Sequence, residues 1–123
     1  MNNFAEEFRN RTKKLAIDII KFCKTLPKND ESYIIKKQII RSSTSVAANY
    51  RAACRARSNA EFFSKLCIVV EEADETVFWL ELIKEADIKD SKEIFDLLKE
   101  SEEVLKIVSK SRKTIKDNKL IKN

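Results

Sequence analysis

The sequence predicts an all-α protein, an antiparallel up-down four-helix bundle forming a single domain over residues 1–123. Three observations predict it. Helix formers dominate, glycine is absent and proline occurs once, so the chain lacks the usual source of the positive-φ turns that hairpins need. Apolar residues recur at helical spacing through four segments. Turn and cap residues separate those segments by short connections, which place consecutive helices side by side and antiparallel.

The first helix is expected over about residues 3–25, capped by Asn2 or Asn3. Phe8, Leu15 and Phe22 repeat every seven residues, as do Thr12, Ile19 and Leu26, giving two rows of one stripe. Pro27 disfavours a helical residue before it and Asn29-Asp30 are turn formers, so the helix stops there. The second helix is expected over about 31–57, with a core row of Ile35, Ile39, Ser42, Val46, Asn49, Ala53 and Ala56. Half of that row is small or polar. Asn49 and the neighbouring Gln38 need buried partners, so Gln38, Ser42 and Asn49 are expected to form a polar layer that sets register.

Ser58-Asn59-Ala60-Glu61 reads as a capping box that opens a third helix over about 59–86. Phe62, Leu66, Val69, Ala73, Thr76, Leu80 and Ile83 form its row, flanked by Phe63, Val70 and Val77. Asp90-Ser91-Lys92-Glu93 reads as a second capping box and opens a fourth helix over about 91–116. Its row is Ile94, Leu98, Ser101, Leu105, Val108 and Ile115, and residues 117–123 read as a frayed tail.

Missing residue types exclude several functions. Without glycine there is no phosphate-cradling loop or dinucleotide fingerprint, and without histidine no Ser-His-Asp, Cys-His or zinc-protease site. No enzyme activity, cofactor or metal is expected. The acidic cluster Glu71, Glu72, Asp74 and Glu75 lacks the Glu-x-x-His pattern of di-iron bundles, and an ion-paired or solvated face is the plainer reading. Cys23, Cys54 and Cys67 are odd in number and contain no CxxC spacing. Reduced thiols, a cytoplasmic setting and no membrane span are expected.

Charge is strongly segregated. Residues 1–60 hold 13 basic and 5 acidic side chains, residues 71–103 hold 4 and 13, and residues 106–122 hold 7 and 1. On a helical wheel Lys37, Arg41, Arg51 and Arg55 share the outer face of the second helix. Lys106, Lys110 and Lys113 form a comparable row on the fourth. These seven are candidates for nucleic-acid phosphates. The third helix carries Ile68, Phe78, Trp79 and Leu82 on its flank or far side, together with Glu71 and Glu75. That second apolar face predicts a homo-oligomer with these six residues at its interface. In the competing reading, Arg51 and Arg55 pair with Glu71 and Glu75 of a neighbouring subunit, and the charged faces serve assembly of a protein-binding scaffold.

The run from Gln38 to Ile83, QIIRSSTSVAANYRAACRARSNAEFFSKLCIVVEEADETVFWLELI, resembles the four-helix-bundle family associated with intervening sequences in 23S ribosomal RNA genes. Gln38, Arg41, Ser42, Ser45 and Asn49 carry the resemblance at their spacing, with the run from Glu71 to Thr76 leading into Phe78-Trp79-Leu80. Ala47-Ala48-Asn49 stands where relatives often have Gly-Ala-Asn. The resemblance implies a bacterial, antiparallel bundle assembling as a ring-like homo-oligomer, a pentamer being the expected ring. It implies no catalytic residues. RNA is the nucleic acid that the family's genomic setting suggests.

Overall fold

In a computed structural model, residues 3–118 are described and form four helices. These are α1 (Asn3–Cys23), α2 (Asp30–Cys54), α3 (Asn59–Glu85) and α4 (Lys92–Asp117). Each helix packs on its chain neighbour, and α1 closes the bundle against α4 through its thinnest contact. No diagonal pair of helices packs together among the described residues. Asn2 and most of the expected tail, residues 119–123, lie outside the described residues.

The turn after α1 forms for a reason visible in its bonds. Lys24, Thr25 and Leu26 donate their N–H groups three residues back, which tightens the last turn before Pro27 ends it. Leu26 is buried and anchors the turn to the core. Both expected α1 rows, Phe8-Leu15-Phe22 and Thr12-Ile19-Leu26, are buried. The Asn29 side chain then caps α2, accepting from the Ser32 N–H at 2.9 Å.

The interior face of α2 departs from expectation. Ile35, Ile39, Ser42, Val46 and Ala53 are buried as the periodicity predicts, but Tyr50 is buried while Asn49 is half-buried. The Tyr50 ring packs edge-on against Phe8, with centroids 4.8 Å apart. A large aromatic gains more from that place than an amide does. The polar layer is therefore not a layer. The Asn49 amide donates to the Ser45 carbonyl at 3.0 Å and the Ser45 hydroxyl at 2.9 Å, within its own helix. Gln38 is half-buried and accepts from Arg41 at 3.4 Å. Only Ser42 lies in the interior, where Thr76 of α3 donates to it at 2.9 Å.

Ser58 caps α3, accepting from the Glu61 N–H at 3.1 Å. The return bond runs from the Arg57 N–H to Glu61 at 2.8 Å, one residue earlier than the usual capping box places it. The α3 row is buried from Leu66 to Ile83, together with Val70 and Val77. The second box does not form. Ser91, not Asp90, is the cap of α4, and it makes no side-chain cap bond. Burial of Ile94 and Leu97 sets this register, so Leu97 and Val104 are buried while Leu98 and Leu105 pack at the core's edge. A paired contact ties α1 to α4, Arg11 donating to Glu100 at 2.6 and 2.8 Å.

Candidate functional site

The outward faces of α1 and α2 enclose an open groove of about 520 Å³. Helical spacings of four and three bring Arg9, Lys13, Ile17 and Ile20 to it from α1 and Thr44, Ala48 and Arg51 from α2 with its C-cap Arg55, and Ala16 and Ala47 lie alongside. The floor is small and apolar. The rim carries four cations and no acid, and none of the four is in an ion pair among the described residues. Charges of one sign set around a concave, low-dielectric surface reinforce one another's potential, which suits an anionic partner.

The predicted basic residues separate into three groups. Arg51 and Arg55 line the groove. Arg41 does not, because α3 presents acids to it. Its guanidinium donates to Glu72 at 3.0 Å and also to Glu75. Lys37 is exposed outside the groove and stands 4.9 Å over the Tyr33 ring. Lys106, Lys110 and Lys113 are exposed on α4 and do not line it either, and Lys113 lies 3.6 Å from Asp117. Reading the sequence missed Arg9 and Lys13. Their spacing from Ile17 and Ile20 marks a second row on α1, flanking the core stripe.

The predicted interface residues of α3 also differ among themselves. Trp79 and Leu82 are half-buried and pack against the core, and Ile68 is half-buried. Phe78 is 50% exposed and meets Trp79 edge-on at 4.9 Å. Glu71 is exposed. Glu75 accepts from the Trp79 indole at 2.9 Å and pairs with Arg41, and both contacts hold its carboxyl below the ordinary range. Arg41 therefore binds Glu75 within one chain, where the competing reading had assigned Arg51 or Arg55 of a neighbour.

No three His, Cys, Asp or Glu side chains converge as a metal site among the described residues. Burial pushes the Cys23 thiol up to about 11, which keeps it protonated and weakly nucleophilic at neutral pH. Cys54 and Cys67 are half-buried and unbridged. No helix is long and apolar enough to cross a membrane among the described residues.

The comparisons with known proteins agree with this architecture. No curated protein matches the chain. A crystal structure of a protein of unknown function from the S23 ribosomal protein family of Bacteroides thetaiotaomicron VPI-5482 superposes with a TM-score of 0.79. It is 32% identical, and the match covers 86% of this chain and 98% of that one. The family model described as 23S rRNA-intervening sequence protein matches residues 6–110, so the chain belongs to that family.

Proposed function

We propose that the protein is a non-enzymatic, self-associating helical bundle that binds nucleic acid, structured RNA foremost, through the α1–α2 groove. One observation carries the reading: Arg9, Lys13, Arg51 and Arg55 line a single groove without an intramolecular counter-charge. No aromatic side chain lines it, so bases have nothing to stack on. Recognition is then of phosphates, tolerant of sequence and steeply dependent on salt. Self-association is supported by Phe78, a large apolar side chain left half-exposed in the C-terminal third of α3.

The test is fluorescence anisotropy of a labelled RNA hairpin at several salt concentrations. Arg51→Ala with Arg55→Ala should weaken binding uniformly across hairpin sequences. Loss of two phosphate contacts should also lower the slope of log affinity against log salt by about 1.8. Wild-type protein that fails to bind the hairpin at low salt would overturn the nucleic-acid reading. The apolar floor favours a second reading, a scaffold that docks protein, since phosphates gain nothing from Ala47, Ala48 and Ile17.

A further inference from the structure

One outward stripe of α3 mirrors the groove. Glu71, Asp74, Phe78, Glu81 and Glu85 recur at alternating spacings of three and four, and all five are exposed. Phe78 is the centre, with two carboxylates on either side along the helix. None of the four acids is in an ion pair among the described residues. The stripe has a length of about 21 Å at 1.5 Å per residue, and each wall of the groove, Arg9 to Ile20 and Thr44 to Arg55, has about 16 Å. A helix laid lengthwise there puts its apolar centre over Ala47 and Ala48, which allow close approach, beside Ile17. The four cations sit together where α1 begins and α2 ends, so the carboxylates at one end of the stripe then reach them.

We propose that the α3 stripe of one copy docks in the α1–α2 groove of a second copy, with Phe78 on Ala47, Ala48 and Ile17 and the carboxylates on one side of it against Arg9, Lys13, Arg51 and Arg55. The proposal rests on the self-associating reading above and supplies its two surfaces. Charge complementarity identifies the occupant. An exposed acidic stripe with one aromatic and a basic groove with an apolar floor occur on the same chain, each without an intramolecular partner. Because stripe and groove sit on different helices, the contact is head-to-tail. Every docked pair leaves one groove and one stripe free, and growth ends only when a ring closes. A filled groove is also closed to phosphate, so assembly and RNA compete for Arg51 and Arg55.

Sedimentation velocity on paired variants tests the docking. Wild type should sediment as an oligomer. Arg51→Glu with Arg55→Glu, and separately Asp74→Arg with Glu81→Arg, should each give a helical monomer. An equal mixture of the two variants should reassemble beyond the monomer, because one keeps its stripe, the other keeps its groove, and the two reversed surfaces again carry opposite charges. Wild-type-sized oligomers in both variants, or a mixture that stays monomeric, would overturn the docking while leaving self-association by another surface. A monomeric wild type at micromolar concentration would overturn both. The uncharged Phe78→Ser variant reads the competition. If assembly closes nine grooves in ten, Phe78→Ser should bind the RNA hairpin about tenfold more tightly than wild type. Equal affinity would overturn the shared groove. Hairpin binding by neither protein would remove the nucleic-acid reading, and the mixture would still decide the docking.

Discussion

Asp87 has a φ of 56°, the one positive value among the described residues, in a chain that contains no glycine. It terminates α3 in a Schellman arrangement. The Asp87 N–H donates to the Lys84 carbonyl at 3.1 Å and the Ile88 N–H to the Ile83 carbonyl at 3.0 Å, which satisfies two orphan carbonyls. Aspartate tolerates this conformation better than most residues, and a β-branched one tolerates it worst. Asp87→Val should therefore lower unfolding free energy by about 1–2 kcal/mol. Asp87→Gly should keep or raise it, as read by urea denaturation. A destabilised Asp87→Gly would show that the side chain, rather than the backbone, matters there. Buried polar groups differ in the same way. Thr76→Val removes the Ser42 bond across the α2–α3 interface while Ser42 keeps its donation to the Ile39 carbonyl, and should cost about 0.5–1.5 kcal/mol. Asn49→Ala, whose bonds are local and half-exposed, should cost less than about 1 kcal/mol. Asn49 looked interior because its spacing from Val46 and Ala53 fits the core row. Spacing could not show that Tyr50, one position on, would take the inside against Phe8.

Helices α2 and α3 are joined on their outer side by Arg41, Glu72, Glu75 and Trp79. Taken one helix at a time, the sequence pattern places Arg41 on a basic stripe and Glu75 on an acidic one. Which acids face Arg41 depends on how the helices are rotated against each other, and no single-helix wheel contains that. The helices themselves were legible because their core rows dominate. The α4 row was legible only to within one residue, since Leu97-Leu98 and Val104-Leu105 offer adjacent apolar choices. The cluster has a pH signature. The Trp79 hydrogen bond first, then the hydrogen bond and charge of Arg41, together outweigh burial and hold Glu75 below its ordinary carboxylate range. A depressed folded value means that the stabilisation is complete above the unfolded value of about 4.3 and is lost as pH falls through the folded one. Trp79 emission should stay constant from pH 7 to about 5 and change below about 4. Glu75→Gln should abolish that acid step, and a step that persists in Glu75→Gln would assign it to another carboxylate.

Across the whole molecule, the segregation of charge along the chain becomes segregation in space, a basic groove on α1–α2 and an acidic stripe on α3. The blocks were visible in the sequence, yet the groove was not. It needs Arg9 and Lys13, whose row on α1 meets Arg51 and Arg55 only once α1 lies beside α2, and it loses Arg41 to α3. Two contacts made by one groove should respond differently to salt. Phosphate binding by four cations is almost wholly electrostatic, with a log–log slope of about −0.9 per contact, so a tenfold rise in salt should lower RNA affinity by about three to four decades. Docking of the α3 stripe has Phe78 at its centre and its ion pairs at the solvent-open end of the groove where the four cations sit. Screening weakens the rim pairs, while burial of the aromatic ring is not a charge interaction and persists. Assembly, followed by sedimentation between 50 and 500 mM salt on the order of that same tenfold range, should therefore shift by less than RNA binding does. Parallel loss of both would mean that Phe78 adds nothing to the contact and that the oligomer is held by charge alone.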